Sequence, residues 1–190
     1  MTDRNAIRQW ARQQRRALSP QAQAEAAKAV ARQAMALPDV RQANSLALYL
    51  ANDGELDPAL LMDSLWQAGK QVLLPVLHPF TPGHLLFLRH RPGSPMVANR
   101  FGIPEPPLDI RQLVTLDSVD LVFTPLVAFD DAGHRLGMGG GFYDRTLANY
   151  QGPVVGLAHD QQQHPALPAM AWDKPLGLIV TPGQIKRFRT

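Results

Sequence analysis

The hydrophobic residues of this chain are concentrated in six short runs, which are separated by polar segments and by clusters of proline and glycine. Apolar runs of this length, flanked by turn-forming residues, predict buried β-strands. The longest run, DLVFTPLVAF, comes shortly before a glycine-rich segment. The six predicted strands span residues 45–50, 71–77, 84–90, 120–129, 153–159 and 176–182.

Helix-forming segments alternate with several of these strands. Ser19 and Pro20 are typical of a helix start, since serine caps free N–H groups and proline suits the first turn. The alanine-rich segment that follows predicts a helix as far as residue 37, and a second helix is predicted for residues 58–68, with Asp57 placed to cap it. This alternation favours an α/β fold, a three-layer α/β/α sandwich around a mostly parallel sheet.

Length and composition are those of one globular domain. The chain has 190 residues, of which 45% are hydrophobic and 18% charged, and it has no cysteine, which excludes disulfides and thiolate chemistry. Its first residues contain no apolar signal region, and no run approaches the roughly eighteen apolar residues of a membrane span. We therefore expect a single domain over residues 1–190, in a monomeric, cytoplasmic protein without membrane contact.

The positive charge is local. Residues 1–41 hold eight Lys/Arg and three Asp/Glu, a balance of +5, and the remainder holds eleven against thirteen, a balance of −2. On a helix, Arg4, Arg8 and Arg12 recur every four residues and form one stripe, while Ile7 and Ala11 lie on other faces. The stripe is either solvated or binds one anionic ligand. A nucleic-acid partner is not expected, because the rest of the chain lacks a basic surface.

The glycine-rich segment between residues 129 and 145, FDDAGHRLGMGGGFYDR, carries the clearest chemistry. Glycine adopts positive φ angles and has no Cβ, so successive N–H groups can converge on a phosphate. The glycines are followed by an aromatic pair and by Asp144, a hard oxygen ligand for Mg²⁺. Arg135 and Arg145 flank them as forked cations. The alternative is a plain turn. The segment matches neither the dinucleotide-binding pattern, which would need glycine at Phe142, nor the P-loop.

The run PLVAFDDAGHRLGMGGGFYDRTL resembles the signature of the 5-formyltetrahydrofolate cyclo-ligase family, also called 5,10-methenyltetrahydrofolate synthetase. The segments YLANDGELD, FGIPEP and WDKPLGLIVTP follow the family's order, so the resemblance covers nearly the whole chain. It implies a fold related to the NagB/RpiA/CoA-transferase group. It also implies an enzyme that uses ATP and Mg²⁺ to convert 5-formyltetrahydrofolate to 5,10-methenyltetrahydrofolate, with both substrates as small-molecule partners.

The resemblance also implies roles for individual residues. The family's N-terminal basic pair, which binds ATP phosphates, maps onto Arg4 and Arg8, although relatives often have lysine at the first position. Some relatives carry a basic residue inside the glycine run, where this chain has Gly140, and this favours Arg135 and Arg145 as phosphate contacts. Asp144 and Asp173 match the family's magnesium ligands.

The predicted site residues form three overlapping sets. The catalytic set is Arg135, Tyr143, Asp144 and Arg145. The nucleotide-binding set is Arg4, Arg8, Arg135, Leu136, Gly137, Met138, Gly139, Gly140, Gly141, Phe142 and Tyr143. The folate-binding set is Asn52, Asp57, Phe101, Met138, Gly139, Gly140, Gly141 and Phe142.

Several alternatives stay open. Asp57 caps the second helix, contacts the ligand or does both, and Glu55 is a nearby alternative for the ligand contact. The proline-rich loop 96–107 is either a connector or leans over the folate, with Phe101 stacked on the pterin and Glu105 near its polar edge. The other functions considered are a non-catalytic folate-binding relative, a sugar-phosphate isomerase or CoA transferase of the same fold group, and a nucleic-acid binder.

Overall fold

A computed structural model describes residues 3–168, 170, 173 and 176–188. Within these residues the α-helices are α1 (Arg4–Arg16), α2 (Pro20–Ala36), α3 (Pro38–Gln42), α4 (Ala59–Gln67) and α5 (Phe142–Thr146). The strands are β1 (Ser45–Ala47), β2 (Gln71–Leu77), β3 (Leu85–His90), β4 (Val97–Ala98), β5 (Pro104–Glu105), β6 (Leu113–Val114), β7 (Leu121–Pro125), β8 (Ala128–Phe129), β9 (Arg135–Leu136), β10 (Val154–Leu157), β11 (Leu178–Val180) and β12 (Ile185–Arg187).

The main sheet has the strand order β12-β11-β10-β7-β1-β2-β3-β6. Its five central strands, β11 to β2 in that order, are parallel, and the strands added at the two edges are antiparallel. The prediction of an α/β fold with a mostly parallel sheet is confirmed. Two small ribbons, β4–β5 and β8–β9, lie outside the main sheet.

Both faces of the sheet are covered by packed apolar side chains. On one face, α2, α3 and α4 bury residues such as Val30, Val40 and Leu65 against the central strands. On the other face, Leu147 and Tyr150, which follow α5, pack against side chains of β1, β2 and β7. Among the described helices, none combines the length and the apolar character needed to cross a membrane.

The N-terminal helix docks near the point where β7 ends. Ile7 and Ala11 are fully buried in a cluster with Val127, Ala128 and Leu136 of the β8–β9 ribbon and its approach. Asp3 caps the helix by accepting a hydrogen bond from Asn5 N at 3.0 Å. This docking places the arginines of α1 beside the segment that follows β9.

The predicted strand 120–129 is wrong in one respect, because the chain leaves the main sheet after Pro125. The carbonyl oxygens of Leu126 and Val127 accept hydrogen bonds from the buried amide of Gln162, at 2.7 and 2.9 Å. A side chain therefore takes the place of a neighbouring strand, and residues Ala128–Phe129 are free to pair with β9 instead.

Other predicted boundaries also change. The strand predicted for residues 45–50 is only Ser45–Ala47, and the loop 96–107 contains the β4–β5 hairpin. Near the C-terminus, residues Ile185–Arg187 pair with β11, and Lys186 forms an ion pair with Asp131. Ser19 caps α2 as predicted, accepting from Ala22 N at 3.2 Å.

Replacing Gln162 should destabilise the fold. In Gln162→Leu, two buried carbonyl groups and the N–H of His159, which donates to the Gln162 side chain at 2.8 Å, lose their partners. We expect the free energy of unfolding to fall by about 2–4 kcal/mol in urea denaturation. Gln161→Leu, at an exposed neighbouring position, is the control and should change it by less than about 0.5 kcal/mol. Equal stability of the two variants would contradict this account.

Candidate active site

A cavity of about 480 Å³ opens at the carboxyl ends of the central parallel strands. This is where open α/β sheets bind ligands, and the volume is in the usual range for a small-molecule site. Three segments form its walls: the loop after β1, the β4–β5 hairpin, and the turn between β9 and α5. Its lining includes Asn52, Glu55, Phe101, Glu105, Met138, Phe142 and Tyr143.

The turn from Gly137 to Gly141, called here the glycine turn, has the backbone that the sequence predicts. Gly139 has φ +103° and Gly141 has φ +64°, conformations that side chains with a Cβ rarely adopt. Among the described residues, no acceptor takes a hydrogen bond from the N–H groups of the turn. A row of unclaimed donors is the arrangement that binds anions.

Two arginines hold the carbonyl side of the glycine turn. Arg8 Nε donates to Gly137 O at 2.8 Å, and Arg145 Nη2 donates to Gly140 O. Arg145 Nε also donates to Gly83 O, in the loop between β2 and β3, at 3.2 Å. Arg145 is exposed, and its guanidinium is committed to backbone carbonyl groups. The structure therefore shows a supporting contact with the turn, and the phosphate contact predicted for Arg145 stays a prediction.

The glycine turn also lies between the cavity and the Arg8 side chain. Gly140 and Gly141 line the cavity, whereas a Cβ built on Gly139 would lie 3.5 Å from Arg8 Cζ. A Cβ on Gly141 would lie 2.6 Å from Arg145 Nη1, the end of an exposed side chain that would have to move. The positive φ angle is therefore the main reason for glycine at position 141.

Two ion pairs lie near the turn. Arg4 binds Asp173 with both terminal nitrogens, at 2.6 and 3.1 Å, and Arg135 pairs with Asp144. The hydrogen bonds that Arg4 donates to Asp173 raise the pKa of Arg4, and the charge of Asp144 also contributes to this shift. Arg135 Nε is buried and has no hydrogen-bond partner among the described residues.

Arg8 has no ion-pair partner within the described part of the chain, where its side chain donates to Gly137 O and Asn5 Oδ1. Burial and the neighbouring charge of Arg4 lower the pKa of Arg8. A cation in this setting is an attractive partner for an anionic ligand.

Glu55 is one of four carboxylates in the cavity lining. Burial raises its pKa to about 7, although the Arg15 guanidinium opposes the shift. Asn52 N donates to Glu55 Oε2 at 3.1 Å, which fixes the side chain within its loop. A group with this pKa can donate or accept a proton near neutral pH.

The aromatic part of the cavity is formed by two rings. Phe101 is 56% exposed, and its ring meets that of Phe142 edge to face, with centroids 6.0 Å apart. The Arg100 guanidinium lies 4.9 Å from the centroid of Phe101. Tyr143 also lines the cavity, and its buried hydroxyl has no partner among the described residues. These surfaces suit a flat heterocyclic ligand.

Asp57 supports the start of α4, where its side chain accepts a hydrogen bond from Ala59 N at 2.9 Å. The side chain is exposed and does not line the cavity, whereas Glu55 does. The ligand contact predicted for Asp57 stays a prediction. The predicted role of Leu136 is also limited, because its side chain is buried in the cluster with Ile7 and only its backbone can face a ligand.

Glu105 and Arg15 are the polar residues that sequence reasoning undervalued. Glu105 lines the cavity and accepts hydrogen bonds from Leu77 N and Asn99 Nδ2, both at 3.1 Å. Arg15 is fully buried beneath the loop after β1. Its position four residues after Ala11, on the buried face of α1, was a signal available in the sequence.

Comparisons with known proteins agree with this geometry. Residues 1–182 match the model of the 5-formyltetrahydrofolate cyclo-ligase family. The 5-formyltetrahydrofolate cyclo-ligase of Escherichia coli (strain K12) is 51% identical over 92% of this chain and 97% of its own length. The enzyme of that name from Haemophilus influenzae is 49% identical over 91% of this chain and 94% of its own length.

Solved structures show the same fold. The 5,10-methenyltetrahydrofolate synthetase of Aquifex aeolicus superposes with a TM-score of 0.85 and 31% identity, over 98% of this chain and 93% of that one. The predicted fold and enzyme class are confirmed by these matches. A family match over nearly the whole sequence, together with relatives at about half identity, shows that this chain is an enzyme of the 5-formyltetrahydrofolate cyclo-ligase family.

Proposed function

We propose that this protein converts 5-formyltetrahydrofolate to 5,10-methenyltetrahydrofolate, with ATP as co-substrate and release of ADP and phosphate. The observation that carries the proposal is the position of the glycine turn. On one side it faces a cavity lined by aromatic rings and carboxylates, and on the other it faces Arg8 and Arg145, which have no ion-pair partner among the described residues. The two substrates would meet across this turn.

The phosphates of ATP would lie against the N–H groups of the glycine turn. Five successive backbone donors without acceptors in the described residues offer a cradle for phosphate oxygens. Arg8 lacks an ion-pair partner there, and the buried Nε of Arg135 is unsatisfied. Charge-assisted hydrogen bonds from such groups are among the strongest that phosphate makes.

A magnesium ion fits this arrangement only when it arrives with the nucleotide. The described residues contain no cluster of three ligating side chains that could hold a metal ion alone. Asp144 and Asp173 are the two carboxylates beside the turn, and Mg²⁺ is commonly held by one or two carboxylates together with substrate phosphates. When bound there, the ion would neutralise phosphate charge during transfer.

The folate would occupy the cavity. Phe101 and Phe142 offer faces for stacking on the pterin, and Glu55 is placed to contact its polar edge. Glu105, already fixed by two hydrogen bonds, lines the opposite polar part of the wall. The formyl group would then point toward the glycine turn.

The reaction needs no protein nucleophile. The formyl oxygen attacks the γ-phosphorus of ATP, and ADP leaves. N10 then attacks the activated formyl carbon and gives up its proton, and phosphate departs from that carbon. Phosphoryl transfer of this kind depends on positioning and on charge stabilisation. The backbone N–H groups and Arg135 would stabilise the transferred group, while Arg8 and Arg145 would hold the turn that presents those N–H groups.

The assay of the reaction is direct. Purified protein mixed with 5-formyltetrahydrofolate, ATP and Mg²⁺ should produce the absorbance of the methenyl product, and omission of ATP should abolish it. Binding of both substrates without any product would instead support a non-catalytic relative. No product together with no binding of 5-formyltetrahydrofolate would overturn the proposal.

Loss of the Asp144 carboxylate should impair turnover. Asp144→Asn removes the charge that would bind the metal and that now pairs with Arg135. We expect kcat to fall by at least about 100-fold in steady-state assays. Asp57→Asn is the control, because that residue is exposed and outside the cavity, and its kcat should stay within about threefold of wild type. Equal losses of kcat in both variants would refute this division of roles.

Replacing the carboxyl group of Glu55 with an amide should weaken folate binding. In Glu55→Gln we expect the KM for 5-formyltetrahydrofolate to rise by roughly tenfold or more, with a smaller change in the KM for ATP. An unchanged folate KM would exclude Glu55 from the contact.

The same variant should be more stable than wild type at high pH. Because burial raises the pKa of Glu55 from 4.5 to about 7, the folded state holds a proton that the unfolded state has lost. The contribution of Glu55 to the free energy of unfolding therefore falls as pH rises from 4.5 to 7. Urea denaturation of Glu55→Gln against wild type should show a difference that grows by roughly 2–3 kcal/mol between pH 5 and pH 8. A constant difference would contradict it.

A further inference from the structure

Arg15 is a fully buried cation on the inner face of α1. Its Nε donates to Asp53 O at 2.8 Å, and its Nη2 donates to Asp53 Oδ2 at 3.0 Å. Its third nitrogen, Nη1, is buried and has no hydrogen-bond partner among the described residues. That nitrogen lies 4.0 Å from Glu55 Oε1, just beyond hydrogen-bond distance.

The ion pair with Asp53 does not by itself account for Arg15. Asp53 is already bound by Arg12, whose Nε donates to Oδ2 at 2.7 Å, and by Arg16. A buried guanidinium with an unsatisfied donor is costly, and a third cation on one carboxylate adds little. Arg15 differs from the other two arginines because its unsatisfied nitrogen, Nη1, faces the carboxylate of Glu55 in the cavity wall.

Arg15 also contacts two of the segments that form the cavity wall. Its stem packs under the loop after β1, where a Cβ on Gly54 would lie 3.5 Å from Arg15 Cγ. Its Nη2 is 3.9 Å from the sulfur of Met138 in the glycine turn. Asp53, which it holds, has φ +55°, a backbone angle that needs support in a residue other than glycine. The Arg15 side chain therefore holds the loop that carries Glu55 and also contacts the glycine turn.

Building on the proposed function, we propose that Arg15 is a positioning residue of the active site, whose buried guanidinium fixes the loop at Asp53 and aims Nη1 at Glu55 so that this carboxyl group meets the polar edge of the folate. The alternative is a purely structural cation. A structural role predicts lower stability but normal folate kinetics, and a positioning role predicts altered folate kinetics as well.

The decisive variants are Arg15→Met and Arg15→Lys, with Arg12→Met as the matched control. Arg12 binds the same Asp53 oxygen, but it does not contact Glu55 or line the cavity. For Arg15→Met we expect the KM for 5-formyltetrahydrofolate to rise by roughly tenfold, with the KM for ATP changed by less than about threefold. Arg12→Met should keep both constants within about twofold of wild type.

The pH profile supplies a second readout that a structural role would not move. Glu55 is faced by Arg15 from α1, by Tyr49 from the segment after β1, by Tyr143 from α5 and by Asp53 from its own loop. Arg15 is the cation among them, and burial keeps both tyrosines neutral by raising their pKa. Loss of its charge should therefore raise the pKa of Glu55. In Arg15→Met, the Glu55 ionisation near pH 7 in the pH profile of kcat/KM for 5-formyltetrahydrofolate should shift to higher pH. Arg15→Lys should keep this ionisation near pH 7, with a raised folate KM.

The outcomes separate this inference from the proposed function. The positioning role alone would be overturned if Arg15→Met kept the kcat, the folate KM and the pH profile of kcat/KM of the wild type. Should Arg15→Met fail to fold, Arg15→Lys decides, because lysine cannot replace the fork, and an unchanged folate KM in it would overturn the role. If wild type itself makes no methenyl product and binds no 5-formyltetrahydrofolate, both proposals fall together.

Discussion

The site depends on how the carbonyl groups of the glycine turn are held. Arg8 binds the carbonyl of Gly137 from the side of α1, and Arg145 binds that of Gly140 from the side of α5. With the carbonyl groups tied on both sides, the N–H groups of the turn remain without acceptors in the described residues. A flexible glycine segment thereby becomes a preorganised set of donors, which costs less to reorganise when a phosphate binds.

The charges around the turn are arranged as exchangeable pairs. Arg4 with Asp173 and Arg135 with Asp144 neutralise one another in the free protein. In the proposed reaction, phosphate oxygens would take the arginines and Mg²⁺ would take the carboxylates, so each charge exchanges one partner for another. Such an exchange avoids leaving a partly buried ion uncompensated at any stage, which would be expensive.

The sequence predicts what local patterns determine. Ser19 and Pro20 define the start of α2, the apolar run 71–77 is β2 as predicted, and the glycine turn has the positive φ angles expected of it. These features depend on propensity, capping and backbone freedom, all of which are readable from neighbouring residues.

Features that depend on distant partners were harder to predict. The end of β7 is decided by Gln162, whose side chain binds the carbonyl of Leu126 36 residues earlier in the chain. In the loop after β1, Asp57 and Glu55 are two residues apart, yet one is exposed at a helix start and the other is buried in the cavity wall. Composition does not determine which of the two side chains points into the cavity, because their orientation follows from the packing of α1 against that loop.

The position of α1 explains why two arginines of this helix reach the candidate site. Arg8 contacts the glycine turn, and Arg15, seven residues later and on nearly the same side of the helix, lies beneath the loop of Glu55. Ile7 and Ala11 anchor the helix beside these contacts in an apolar cluster. Because a helix transmits displacement along its axis with little deformation, a shift at the phosphate side would move the support of the folate side as well. In the proposed function the helix would thus be a structural part of the catalytic centre, and its register against the sheet would set the relative positions of the two substrates.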